Sequence, residues 1–146
     1  MNNGEAATAE TQGFDDIASP ALKVERVLFQ GNTIGLHLST QAMAVSVHDS
    51  VFRQNGTGIV MDENTCPPDE GDCTLPINDD FRGNVFSDNT GNGVTWGFGT
   101  VTATNNHFVN NGGWGFIAAT GTTVVDGGGN VAHGNGAGNC QGLACS

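Results

Sequence analysis

The chain has 146 residues, of which 15 are acidic and 4 are basic, giving a formal net charge of −11. This length suits one domain, and so acidic a chain lacks the cationic surface that nucleic acids and anionic membranes require. We therefore expect neither as a partner, and no run of 18 apolar residues predicts a membrane-spanning helix. The 23 glycines and the small charged fraction of 13% favour short strands and tight turns over helices.

Residues 1–20 form an acidic N-terminal segment that is rich in alanine and threonine and ends at Pro20. The segment lacks the basic start and apolar core of a signal peptide, so we do not expect it to be one. We predict that it is disordered or caps the domain, which spans residues 21–146.

A repeated phrase begins after this segment and can be aligned on one mostly aromatic position: Phe29, Phe52, Phe86, Phe108 and Ala132. An asparagine follows each of these positions by three residues: Asn32, Asn55, Asn89, Asn111 and Asn135. A glycine follows each by six or seven residues: Gly35, Gly58, Gly93, Gly115 and Gly138. The aligned positions are 23, 34, 22 and 24 residues apart. A nearly constant period with one insertion predicts a solenoid.

The apolar positions of the repeat are mainly valine and phenylalanine, whereas a leucine-rich repeat needs spaced leucines. This composition favours a β-helix, in which like residues of successive coils stack about 4.8 Å apart. Alternation predicts four columns of inward-facing residues: Leu22, Val45, Asp79, Val101 and Val125; Val24, Val47, Phe81, Ala103 and Gly127; Leu36, Ile59, Val94 and Phe116; Leu38, Met61, Trp96 and Ala118. Asp79 breaks its column.

The asparagine column is predicted to lie at a sharp turn, because asparagine tolerates the left-handed backbone conformation. Stacked amides can also hydrogen-bond from coil to coil, which predicts a buried asparagine ladder. Asn55 also begins the glycosylation sequence Asn-Gly-Thr, but its place in the column favours the structural interpretation.

The longest interval contains an insertion at residues 62–76, in which Cys66 and Cys73 bracket the sequence PPDEGD. A second pair, Cys140 and Cys145, brackets QGLA near the end of the chain. Neither spacing is typical of zinc ligands. We therefore expect a disulfide within each pair, with buried thiols as the alternative. Local disulfides indicate an oxidising, extracellular environment.

The coil pattern N-x-F-x-x-N-x-x-G followed by an apolar residue, as in NVFSDNTGNGVTW and NNHFVNNGGWGF, resembles the repeats of pectate lyase-like proteins. The resemblance covers residues 21–146, and the final GNGAGNCQGLACS is similar to closing segments of secreted bacterial members. It implies an all-β, right-handed parallel β-helix of about five coils, together with secretion and often a polysaccharide partner. Such a repeat is specific for the fold and says little about activity.

The predicted outer face of one sheet gathers charged side chains from several coils. Glu25, His48 and Arg82 occupy one outward column, and the neighbouring column contains Lys23, Ser46, Asp80, Thr102 and Asp126. His48, Arg82 and Asp80 are the candidate catalytic residues: His48 or Arg82 would act as base or charge partner on an acidic sugar, or two carboxylates would form a glycosidase pair. The competing interpretation is a solvated sheet face with cross-strand ion pairs.

Glu25 and Trp114 are the candidate substrate-binding residues. An exposed indole such as that of Trp114 can stack on a sugar ring, although it can equally cover a strand edge. His107 and His133 lie near predicted turns without paired ligands, and we interpret both as solvent-facing.

The insertion carries five acidic residues, which are candidate calcium ligands: Asp62, Glu63, Asp69, Glu70 and Asp72. A disulfide between Cys66 and Cys73 would hold these like charges together, and a cation with a preference for several oxygen ligands would relieve their repulsion. The alternative is a solvated loop that the disulfide protects from proteolysis.

Taken together, these features predict a non-catalytic extracellular β-helix module that binds polysaccharide or serves as a structural unit of a surface protein. A small polysaccharide lyase, hydrolase or epimerase is the alternative. A third hypothesis is head-to-tail self-association into filaments, because open strand edges at the ends of a short β-helix invite pairing.

Overall fold

The computed structural model of the protein describes residues 12–16, 22–38, 44–63 and 78–146. Within these residues the chain forms sixteen β-strands, and no described helix is long and apolar enough to cross a membrane. Each strand pairs in parallel with its counterpart in the next coil. The chain is therefore an all-β parallel β-solenoid, as the sequence predicts.

Three parallel sheets form the faces of the solenoid, and each coil contributes one strand to each sheet. The first sheet contains β2 (Leu22–Glu25), β5 (Val45–His48), β8 (Asn78–Arg82), β11 (Thr100–Thr104) and β14 (Thr123–Asp126). The second sheet contains β3 (Leu28–Gln30), β6 (Val51–Arg53), β9 (Val85–Ser87), β12 (His107–Val109) and β15 (Val131–His133). The third sheet contains β1 (Gln12–Asp16), β4 (Ile34–Leu38), β7 (Thr57–Met61), β10 (Val94–Trp96), β13 (Trp114–Ala118) and β16 (Gly138–Gln141). Strands β2 to β16 thus make five coils, and β1 adds a sixth strand to the third sheet.

The predicted phenylalanine column is the centre of the core. The rings of Phe29, Phe52, Phe86 and Phe108 stack in order, with successive centroids 4.6, 4.9 and 5.1 Å apart, and all four side chains are buried. Ala132 continues the column in the last coil. Stacked rings of this kind contribute to stability beyond the area that they bury.

The third sheet supplies the opposite wall of the core from the residues that were predicted to face inward. Leu36, Ile59, Val94 and Phe116 are in register and fully buried. Leu38, Met61 and Trp96 are also buried, whereas Ala118 is only partly covered.

The first four glycines of the column, Gly35, Gly58, Gly93 and Gly115, are required because their backbones pack directly against the phenylalanine stack. A Cβ atom added at Gly35 would lie 2.6 Å from the carbonyl oxygen of Gly58 and 3.0 Å from Cδ1 of Phe52. No side chain fits into that space without moving the neighbouring coil.

The predicted asparagine ladder lies at the corner between the second and third sheets. The backbone N–H of each member donates to the side-chain oxygen of the member in the next coil: Asn32 to Asn55 at 3.0 Å, Asn55 to Asn89 at 3.0 Å, Asn89 to Asn111 at 3.3 Å and Asn111 to Asn135 at 3.0 Å. From Asn55 onward, each side-chain Nδ2 also donates to the carbonyl oxygen of the phenylalanine one coil earlier, as Asn89 does to Phe52 at 3.1 Å. Asn55 is a fully engaged member, which confirms its structural interpretation.

A second ladder, not predicted, lies at the corner between the first and second sheets. Its members are Ser50, Asn84, Asn106 and Asn130, all buried, and their backbone N–H groups donate to the next member's side chain. Val27 opens the series by donating its N–H to Ser50 Oγ at 3.2 Å. Each member stands two residues before the aligned phenylalanine position. The first asparagine of the repeat pattern N-x-F therefore marks this ladder in the sequence.

The left-handed turn residue is not the ladder asparagine, which corrects the prediction. The residue immediately before each ladder position has the positive φ angle instead, for example Gln54 at 56°, Asp88 at 54° and Asn110 at 54°. The same offset holds at the other corner, where Asn105 has a φ of 54°. The ladder asparagines are thus selected for their amides and not for their backbone conformation.

The last coil has a different register from the one predicted. Val124, and not Val125, pairs with Val101, while Val125 is 44% exposed. Asp126 pairs with Ala103, so it does not join the outward column, and Gly127 is exposed. The cause is one extra residue at the following corner, where Gly128 and Gly129 both have positive φ angles.

The C-terminal end is closed by residues that follow β16. Cys140 and Cys145 form the predicted disulfide, and Leu143 is buried against the core. Ser146 pairs with the edge of β15, since Ala132 N–H donates to its carbonyl oxygen at 3.0 Å and its own N–H donates to Asn130 at 3.0 Å. The predicted Cys66–Cys73 pair lies outside the described residues.

Phe86→Ala should remove about 3–5 kcal/mol of the free energy of unfolding, as expected for a buried phenylalanine. Val85→Ala, at the adjacent outward position, is the matched control and should cost about 1 kcal/mol or less. Urea denaturation measures both. Similar losses for the two variants would mean that the phenylalanine stack is not the centre of the core.

Asn89→Ala should cost about 1–3 kcal/mol, because it leaves the Asn55 N–H and the Phe52 carbonyl without their buried partner. Asp88→Gly, one residue earlier, should change stability by about 1 kcal/mol or less, because glycine suits the positive φ angle. The two free energies of unfolding would contradict the ladder if they were equal, or if the cost at position 88 were the larger.

Candidate functional site

The outer face of the first sheet brings together the charged residues that the sequence placed there. Glu25 on β2 is the register neighbour of His48 on β5, and His48 is that of Arg82 on β8. In the adjacent column, Ser46 lies between Lys23 and Asp80. We call the six outward residues of β2, β5 and β8 the charged face: Lys23, Glu25, Ser46, His48, Asp80 and Arg82.

Asp80 is the central group of the charged face. Its Oδ2 atom lies 2.9 Å from Nε2 of His48 on the neighbouring strand and 2.8 Å from a terminal nitrogen of Arg82 on its own strand. The side chains of Asp80 and His48 are 30% and 23% exposed, whereas that of Arg82 is 57% exposed. The partly covered carboxylate therefore holds the histidine and leaves donors of the arginine available to solvent.

A second ion pair occupies the first coil. Lys23 Nζ lies 2.9 Å from Glu25, and Arg26, at the adjoining corner, lies 3.7 Å from the same carboxylate. The hydrogen bond and charge of Lys23, with a contribution from Arg26, lower the pKa of Glu25. Since the Glu25 side chain is exposed to solvent, screening weakens the interaction, and we interpret the pair as positioning charges more than stabilising the fold.

The charged face and the corner beside it carry most of the chain's few cations. Lys23, Arg26 and Arg82 are three of the four basic residues in the whole sequence. The fourth, Arg53, lies on the second sheet and donates to Gln30 Oε1 at 3.1 and 3.0 Å. The charges of the face thus approximately balance, although the chain as a whole is strongly acidic.

The arrangement suits binding more directly than catalysis. The structure brings His48, Asp80 and Arg82 together, as predicted, but both carboxylates of the charged face already accept from cationic groups. A glycosidase pair needs one protonated acid and one free carboxylate, whereas the carboxylates of Asp80 and Glu25 are each held by a cationic side chain.

The two predicted substrate-binding residues lie on different faces. Glu25 belongs to the first sheet, whereas Trp114 begins β13 of the third sheet. The half-buried indole lies over Gly138 of the next coil, because a Cβ atom added at Gly138 would be 2.7 Å from ring atoms Cε3 and Cη2. This geometry favours the alternative in which Trp114 covers a neighbouring strand.

The predicted calcium ligands are only partly within the described residues. Asp62 lies 2.9 Å from Nε2 of His37 on the third sheet, so its carboxylate already has a partner. Glu63 is exposed and lines a cleft of about 330 Å³ together with Gly97, Phe98 and residues 119–122. Asp69, Glu70 and Asp72 lie outside the described residues, and the described ones contain no group of three or more acidic, histidine or cysteine side chains placed to hold a metal.

Asp79 is a buried carboxyl group directly beneath the charged face, and sequence reasoning recognised it only as a break in an apolar column. Its side chain is 2% exposed between Val45 and Val101, and its Oδ1 accepts from Val45 N–H at 2.6 Å. Its Oδ2 is buried without a hydrogen-bond partner among the described residues. Burial raises the pKa of Asp79 from its ordinary 3.8 to about 7, and the bond from Val45 only partly offsets that effect.

His107 and His133 are exposed on the second sheet, as predicted. Comparison with known proteins gave no family model, no characterised protein and no solved structure that matches the chain. The fold and the charged face are therefore the basis on which a function can be proposed.

Proposed function

We propose that this protein is a non-catalytic extracellular β-helix module whose charged face binds a uronate-containing polysaccharide. The observation that carries the proposal is the collection of three of the four basic residues on and beside one sheet face, around the half-buried Asp80.

A linear acidic polysaccharide has the chemistry that this face would recognise. Arg82 and Lys23 have side chains that are 57% and 66% exposed, so they can donate to sugar carboxylates while retaining their contacts with Asp80 and Glu25. The two carboxylates can in turn accept from sugar hydroxyls. Because the charges of the face balance locally, such a ligand is not repelled there as it would be elsewhere on an acidic surface.

Shape supports the same proposal. Side chains from three coils form the face, and parallel strands about 4.8 Å apart present them at regular intervals. A regular array of this kind can contact several consecutive sugars of one chain, and many weak contacts along a chain then add to a useful affinity.

The finer assignments belong to the same proposal. The repeat pattern supports a place among right-handed, pectate lyase-like β-helices, and the Cys140–Cys145 disulfide supports an oxidising, extracellular environment. The ion pairing of both surface carboxylates supports binding over turnover.

Calorimetric titration with polygalacturonate tests the proposal, with a neutral polysaccharide such as dextran in parallel. Arg82→Gln should weaken binding roughly tenfold or more, as for loss of a charge-assisted hydrogen bond. Arg53→Gln is the matched control, since it removes the same charge from another face, and it should leave the affinity unchanged within about twofold. Binding should weaken as salt is added.

Two results would contradict the proposal. The first is absence of binding to polygalacturonate, alginate and hyaluronan alike. The second is an equal loss of affinity in the Arg82 and Arg53 variants, which would indicate a general charge effect. Release of unsaturated or reducing sugar ends in the same samples, lost in His48→Ala, would instead establish the enzyme alternative.

A further inference from the structure

The step between β5 and β8 differs from the other steps of the first sheet. The backbone pairs of the β5–β8 step begin at Ser46 and Asp80. In the β2–β5 step the pairs begin one residue earlier, at Leu22 and Val45, and in the β8–β11 step they begin two residues earlier, at Asn78 and Thr100. Val45 and Asp79 therefore lie opposite each other just beyond the first backbone pair of the β5–β8 step. The side chain of Asp79 replaces the missing backbone acceptor by taking the Val45 N–H at 2.6 Å.

The surroundings of Asp79 oppose a negative charge. The residues that flank it in its column, Val45 and Val101, are apolar, and the next inward residue of its own strand is Phe81. The Phe81 ring packs edge-to-face against Trp96 of the third sheet, with centroids 5.2 Å apart. None of these groups is titratable. The charged residues of β5 and β8, which are His48, Asp80 and Arg82, point to the opposite face of the sheet.

The unpartnered Oδ2 gives the neutral and ionised forms different consequences. A neutral carboxyl group can remain beside Val45 and still accept its N–H. An ionised one has a buried charge with one hydrogen bond, and it is stabilised by moving toward water. Because Asp79 is part of β8, its outward movement would displace the start of β8 relative to β5.

That movement would act on the charged face directly. Asp80 follows Asp79 in the chain, and its contact with His48 spans the same β5–β8 step. We propose that Asp79 is a pH-sensitive latch between two strands. Its neutral form holds β5 and β8 together, and its ionised form releases them. As a result, the charged face binds its polyanion better in mildly acidic than in neutral solution. The binding half of this inference rests on the proposed function.

The direction of the stability effect follows from proton binding. Between about pH 4 and pH 7 the folded chain holds a proton on Asp79 that the unfolded chain has released, since the pKa is about 7 in the folded chain. The contribution of Asp79 to stability is therefore complete below about pH 4, falls as the pH rises and is lost above about pH 7.

The first experiment compares the unfolding equilibria of the unmodified chain and of Asp79→Asn from about pH 4 to pH 8. Asparagine retains the oxygen that accepts from Val45 but cannot ionise. The unfolding constant of the unmodified chain should rise by roughly two to three powers of ten more than that of the variant. Asp49→Asn, which changes an exposed aspartate at a neighbouring corner, should behave like the unmodified chain.

A second measurement decides the matter even if Asp79→Asn fails to fold. In the unmodified chain, the carboxyl carbon of Asp79 followed by NMR should titrate near pH 7, and exchange of the Val45 amide hydrogen should accelerate over the same range. Titration of Asp79 near its ordinary pKa, or identical pH profiles for the unmodified chain and Asp79→Asn, would overturn the latch.

Binding of polygalacturonate separates the two halves of the inference. Affinity in the unmodified chain should fall about threefold or more between pH 6 and pH 8, as the binding-competent fraction falls, and the fall should be smaller in Asp79→Asn. Any charge change on His48 is common to both chains. Equal falls in the two chains would overturn the coupling. If no polysaccharide binds at any pH, the proposed function fails, while unfolding and NMR still decide whether the latch exists.

Discussion

The backbone amides at the corners of each coil set the constraint on which this structure depends. A corner turns the chain out of its sheet, so its N–H groups lose their sheet partners while remaining buried between neighbouring coils. An unsatisfied buried amide is costly. From the second coil onward, each asparagine of the two ladders satisfies two backbone groups of the previous coil, since its oxygen accepts an N–H and its nitrogen donates to a carbonyl oxygen. The corners of successive coils are thus fixed directly above one another.

The alignment of the sheets follows from that constraint. When two corners of every coil are fixed, the strand between them cannot slip along its neighbour, and like residues must stack on like. Inside, this produces the stack from Phe29 to Phe108 and the glycine column that packs against it. Outside, it places Glu25, His48 and Arg82 in one row although they are far apart in sequence. The charged face is therefore a consequence of the same hydrogen bonds that close the corners.

The sequence predicts most of the fold because the repeat forces residues of one type into each column. The phenylalanine, glycine and first asparagine columns were found in this way. The second ladder was missed because its first two positions hold Val27 and Ser50, so the column does not begin as asparagine. The left-handed position was misplaced by one residue because Arg26 and Gln54 occupy it as well as glycine and asparagine. The last coil has one extra corner residue before Ala132, so alignment on Ala132 wrongly predicted that Val125 faces inward.

The candidate site was less predictable, since contacts between side chains depend on details that a column does not specify. Outward positions were correct for His48, Asp80 and Arg82, but nothing in the spacing shows that one oxygen of Asp80 contacts both neighbours. Trp114 could have stacked on a ligand or on its own protein, and only the position of Gly138 beneath the ring distinguishes the two.

Asp79 was hard to interpret from the sequence because both its register and its side-chain contacts are irregular. Its role arises where an insertion rejoins the sheet, and the register at such a point cannot be read from a repeat. The chemistry of its bond is nevertheless that of the ladders, in which a side-chain oxygen accepts a backbone N–H from a neighbouring coil. Asparagine performs this task at the ladder positions and would supply the same oxygen to Val45 without any buried charge. The need for an acceptor therefore explains why a polar residue stands at position 79, but it does not explain a carboxyl group. Unlike asparagine, aspartate can lose a proton, and in the proposed latch this loss weakens the contact between β5 and β8 beneath the charged face.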